Sequence, residues 1–149
     1  VAENRSHISS VKKIIEAINS RFERDCDFEF FKIAKYDGQS LRIYAGRDFT
    51  FAHNFELIFE KVTFFKGDFE WSRNDELDLI LIEEISEIPG QLRFKFVLQS
   101  DGYYYSNHNH RIEIWAESID FDPSTVYYWN KEDLKEGERV AEWVKRSHK

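Results

Sequence analysis

One cysteine, two prolines and six glycines are all that this 149-residue chain holds of the residues that cross-link, stiffen or loosen a backbone. The lone Cys26 excludes an intramolecular disulfide, which favours a reducing compartment. It lies between Asp25 and Asp27, whose carboxylates disfavour a thiolate, so it reads as structural and not reactive. Scarce glycine leaves little material for a phosphate-cradling loop. A Gly-x-Ser-x-Gly elbow, a His-Glu-x-x-His helix and a Cys-x-x-Cys pair are also missing. These absences lean against an enzyme and name no cofactor.

Long apolar runs are missing too. The longest are short, such as Leu79-Ile80-Leu81-Ile82, whereas a membrane helix needs roughly 20 apolar residues. A soluble chain in the cytoplasm is the expectation. Val1-Ala2-Glu3-Asn4-Arg5 lacks the apolar stretch of a signal peptide, although a start at Val leaves an earlier-removed leader open. Positive charge is in deficit: 21 Lys and Arg stand against 28 Asp and Glu, for a net charge of −7. Such a surface repels nucleic acid and anionic lipid and steers a basic partner inward.

What is present is a 42% hydrophobic, 17% aromatic chain, enough to build a core of one domain spanning 1–149. Ile8, Val11, Ile14, Ile15, Ile18 and Phe22 recur at helical spacing, which predicts a helix over 9–23 capped by Ser9 or Ser10. The period then becomes two. Phe28 to Tyr36 and Leu41 to Ala45 flank Asp37-Gly38 and read as a hairpin. Further strands follow at 54–59, with a bend at Glu60-Lys61, at 76–82, read as central, at 92–98 after the Pro89-Gly90 turn, and at 108–121 with a phase shift. A short strand at 125–129 and a helix near 131–146 end the chain. The fold class is therefore α+β: N-terminal helix, a mainly antiparallel sheet of about six or seven strands that is open to strong curvature, C-terminal helix.

Three features carry candidate chemistry. His108 and His110 sit two apart, so on a strand both imidazoles reach one side, and His53 is a third candidate metal ligand. Gly102-x5-His108-x-His110 resembles part of the first metal motif of the cupin family. The following acid, Glu113, is misplaced for that motif and the later Gly is missing, so the cupin fold and chemistry are not carried over. The alternative to a metal site is a pair of strand or turn histidines beside tyrosines.

Aromatic clusters are the second feature: Tyr103-Tyr104-Tyr105 and Tyr127-Tyr128-Trp129 pair apolar faces with polar tips, as docking surfaces do, unless they simply fill the core. The third is acid around one apolar strand, chiefly Glu83 and Glu84, which is either a solvated face or a docking patch. Together they suggest an acidic domain that binds or neutralises a basic protein. It is similar in size and charge to small toxin-neutralising immunity proteins, an analogy without a shared motif. The competing expectation is a small-molecule or metal-binding domain with an aromatic cavity and His53, His108 or His110 at its mouth. Nucleic acid and membrane are not expected partners.

Overall fold

A computed structural model of the protein describes residues 2–24, 29–73, 78–100 and 110–146; the side chains of 2–3, 22–24, 110 and 145–146 lie outside that set. In chain order the elements are α1 (Ala2–Arg24), β1 (Phe30–Tyr36), β2 (Leu41–Gly46), β3 (Ala52–His53), β4 (Phe55–Glu60), β5 (Phe64–Lys66) and β6 (Glu70–Ser72). Then come β7 (Ile80–Ile88), β8 (Gln91–Ser100), β9 (His110–Ala116), β10 (Ser118–Asp122), β11 (Thr125–Tyr127), β12 (Glu138–Val140) and α2 (Glu142–Arg146).

The strands form three sheets, ordered β10-β4-β2-β1-β6, β5-β9-β8-β7 and β12-β11-β3. Pairing is antiparallel except between β11 and β12, which run parallel. The α+β class with an antiparallel sheet is as the periodicity predicts. The number of strands is larger than six or seven, because several are two or three residues long and too short to show a period.

The two larger sheets close over one core. Phe31, Ile43, Leu57 and Phe59 from one sheet meet Phe94, Phe96, Leu98, Ile112 and Ile114 from the other, all at 0% exposure. The phase shift expected within 108–121 is the corner between them. Ile112, Ile114 and Ala116 are buried, then Ile119, so inward parity flips at Glu117, where the chain leaves β9 and enters β10. Glu117 N donates to Glu60 O at 3.0 Å and Thr63 N to Trp115 O at 2.9 Å, so the sheets stay joined there. Arg73 and Ser100 bridge them again.

The α1 stripe is as expected, with Val11, Ile15 and Ile18 buried. The start is not: the helix begins at Ala2, so Ser9 and Ser10 are interior and not caps. The hairpin β1–β2 forms, its turn held by Asp37 Oδ1, which accepts from Gln39 N and Ser40 N. The bend at Glu60-Lys61 is also present: β4 ends at Glu60, and Lys61 adopts φ +52°.

Two further expectations are corrected. The strand read as central is β7, and it is the terminal strand of its sheet, its aliphatic residues being covered by α1 rather than by a second neighbour. The C-terminal helix begins at Glu142 and not near 131, with five described residues, because residues 131–141 are used otherwise. Gly137 takes φ +80°, which stops a helix, and Glu138–Val140 pair with β11. The Glu138 carboxylate also accepts from Lys135 N, Tyr127 Oη and Lys131 Nζ. Val140, Ala141 and Val144, whose spacing looked helical, instead pack with Val126 in a small separate cluster.

Candidate functional site

Among the described residues the buried carboxylate is Glu56. It stands on the outer face of β4, opposite the core-facing Phe55, Leu57 and Phe59, yet it is only 1% exposed. Arg42 on β2 donates to its Oε1 at 2.7 Å. Arg139 on β12 donates to Oε2 at 2.8 Å and also to Asp122 on β10 at 3.0 Å. His53, three residues earlier and equally buried, places Nε2 2.8 Å from Oε2. A carboxylate only accepts, so this nitrogen donates to it, and Nδ1 lies 2.7 Å from the Tyr128 hydroxyl. Tyr44 stacks on the imidazole at 3.8 Å.

Burial pushes the Glu56 carboxyl up, but hydrogen bonds from His53 and Arg42, with their charge, outweigh it and hold it below the ordinary carboxylate range. The same burial, reinforced by Tyr44 and Glu56, raises the Tyr128 phenol. Tyr128, His53 and Glu56 thus line up as a nucleophile, base and orienting acid would. However, the imidazole side chain is fully buried, so no substrate reaches it in this arrangement. The arrangement also has a mechanical effect. Its residues come from β2, β4, β10, β12 and the ends of β3 and β11, so it ties the three-stranded sheet to the five-stranded one.

His53 therefore does not stand at the mouth of a cavity. Both its ring nitrogens are engaged and its side chain is fully buried. Among the described residues no group of three or more His, Cys, Asp or Glu is placed to hold a metal ion. Tyr103, Tyr104, Tyr105 and His108 lie outside the described residues, as does the side chain of His110, which opens β9.

The other aromatic cluster is divided. Tyr128 turns its hydroxyl inward and its ring toward Trp143. Tyr127 donates to Glu138, whose carboxyl the Lys135 amide, Tyr127 and Lys131 together lower to about 2. Trp129 alone of the three is exposed. Glu83 is committed within the protein, to Lys95 at 2.9 Å and to Arg111, while Glu84 is exposed on β7.

Sequence reasoning missed an apolar groove open to solvent. A groove of about 280 Å³ runs between the β1–β2 hairpin, through Ile33, Tyr36 and Leu41, and the segment Val62–Phe65 with Phe69. Its rim leaves Phe69 81%, Tyr36 56% and Phe64 47% exposed, far more than a core aromatic would be. The residues involved, Phe64-Phe65 and Phe69, flank Lys66-Gly67-Asp68, and no alternation there is long enough to show which of them face water. Lys35, Asp37, Lys66, Asp68 and Glu70 are chain neighbours of its lining residues, so both charge signs adjoin it in sequence.

No protein-family model matches the chain, and no curated protein or solved structure matches it either.

Proposed function

We propose that this chain is a protein-interaction domain, not an enzyme, and that its partner is basic. The observation that carries the reading is the aromatic groove: Tyr36, Phe64 and Phe69 spend large apolar surface on solvent, as docking sites do. The net charge of −7 supplies long-range steering toward a cationic partner, and the groove supplies the contact.

The test is selection of a displayed peptide library on the protein, with a Phe64→Ser/Phe69→Ser double variant as counter-selection. Binders specific to the original protein should carry an apolar anchor flanked by Lys or Arg. Their affinity should drop about tenfold or more as salt rises from low to physiological ionic strength. Binders that ignore both the double variant and the salt count against the reading.

A small apolar ligand is the second reading the groove admits, since its volume of about 280 Å³ is near that of small ligand sites. Few polar groups converge there to orient such a ligand, which favours a protein anchor. A melting temperature raised by one compound and left unchanged by Lys-rich peptides would reverse the preference.

A further inference from the structure

The four-stranded sheet has two edges, three strand spacings or roughly 14 Å apart. One, β5, borders the aromatic groove. The other, β7, is nine residues long and among the described residues is paired on one side only, with β8.

The direction of its free backbone groups follows from the hairpin. The Pro89-Gly90 turn closes on the pair Ile88–Gln91, which is the hydrogen-bonded kind in a two-residue loop. Counting back through the bulge between Ile82 and Glu84, the residues that turn N–H and C=O away from β8 are Glu87, Ile85, Ile82 and Ile80. Asn19 of α1 checks this count. Its Nδ2 donates to Ile80 O at 2.8 Å, and its Oδ1 accepts from Ile80 N at 3.1 Å. The carboxamide thus occupies the place that a peptide group of a neighbouring strand would take. Beyond Ile80 the described residues offer no such partner to Ile82, Ile85 or Glu87.

The surroundings select what can pair there. Between α1 and β7 lies a groove of about 260 Å³ whose charged lining is Glu16, Asp78 and Lys12. Further along the strand Glu84 and Glu87 are exposed. Glu83 does not add to this charge, since Lys95 and Arg111 neutralise it. Two copies of the chain joined edge to edge would set these carboxylates against each other, which is how edges resist self-association. A strand bearing Lys or Arg meets no such barrier.

We infer that the free edge of β7 is a strand-addition site for an extended basic segment of a partner protein, entering beside Asn19 and running along Ile82, Ile85 and Glu87. This rests on the reading of the chain as a binder of basic proteins and gives that partner a second point of attachment, away from the aromatic groove.

The probe is a capped ten-residue peptide alternating Lys and Val, with its Glu-for-Lys counterpart as control, followed by amide hydrogen exchange resolved residue by residue. The Lys peptide should slow exchange at Ile82, Ile85 and Glu87 while leaving Glu84, Ser86 and Ile88, already bonded to β8, unchanged. Glu84→Lys/Glu87→Lys should weaken its binding at least about tenfold. Glu87→Pro removes only an outward N–H, so the fold is retained and the added strand is blocked. Phe64→Ser/Phe69→Ser should leave this binding as it is. Failure of the Lys peptide to bind, protection without regard to the outward set, or equal binding of the Glu peptide overturns the edge site. If the Lys peptide instead protects the groove and is lost in Phe64→Ser/Phe69→Ser, the edge site falls while the interaction-domain reading stands.

Discussion

Glu56 and Glu83 are each held by two cations, and they could hardly differ more in what that holding is worth. Glu56 is sealed between Arg42, Arg139 and His53, at 2% side-chain exposure. Glu83 lies on the outer face of the four-stranded sheet between Lys95 and Arg111, at 35% exposure. The local chemistry is the same: carboxylate oxygens and charged N–H donors at hydrogen-bond distance. Water makes the difference. A buried carboxylate that loses its partners, or cations that lose their carboxylate, cannot fall back on solvent, whereas an exposed pair can.

Substitutions at the two sites should separate them widely. The largest effect is expected from Glu56→Ala, which removes the acceptor shared by three donors. Breaking such a pair costs about 3–5 kcal/mol. Because Arg42 and Arg139 remain 40% and 36% exposed, the lower end, about 3 kcal/mol, is expected from a urea melt. A loss below about 1 kcal/mol, the scale of an exposed pair, would remove the distinction drawn here.

A pH series sharpens it. The folded carboxyl of Glu56 is held below its unfolded range, so its contribution is complete above that range and is lost as pH falls through the folded value. Glu56→Gln should therefore be less stable than the original protein at neutral pH, and the gap should narrow as the solution is acidified. Parallel curves would show that the ionised form is not what stabilises. The smallest effect is expected from Glu83→Gln, which should leave the melting temperature within about 2 °C and shrink further with added salt.

The contrast also marks where the sequence was readable. Helix α1, the β1–β2 hairpin and the alternation of β8 were legible because each is a local pattern longer than its own period. Glu56 was not: on an alternating strand it reads as one more outward polar residue. Its partners stand 3, 14 and 83 residues away, with nothing in the spacing to connect them. The three-stranded sheet was hidden for the same reason, being assembled from two- and three-residue strands at 52–53, 125–127 and 138–140. The helix expected over 131–146 rested on apolar spacing alone, and a single left-handed residue, Gly137, was enough to undo it. Of the anticipated binding residues, Trp129 and Glu84 are exposed, while Tyr127, Tyr128 and Glu83 spend their polar atoms inside the protein.

The span from Glu56 to Arg139 has a consequence in time. The two are 83 residues apart, and a ribosome adding ~5–20 residues per second makes the arginine roughly 4–17 s after the glutamate. Throughout that interval the nascent chain holds Glu56, His53 and Arg42 but not Arg139, so the carboxylate's set of donors is incomplete. The five-stranded sheet waits in the same way for β10, its last strand to be made. Completion of both falls to residues 118–140, which act as a closing clasp on the strands made before them.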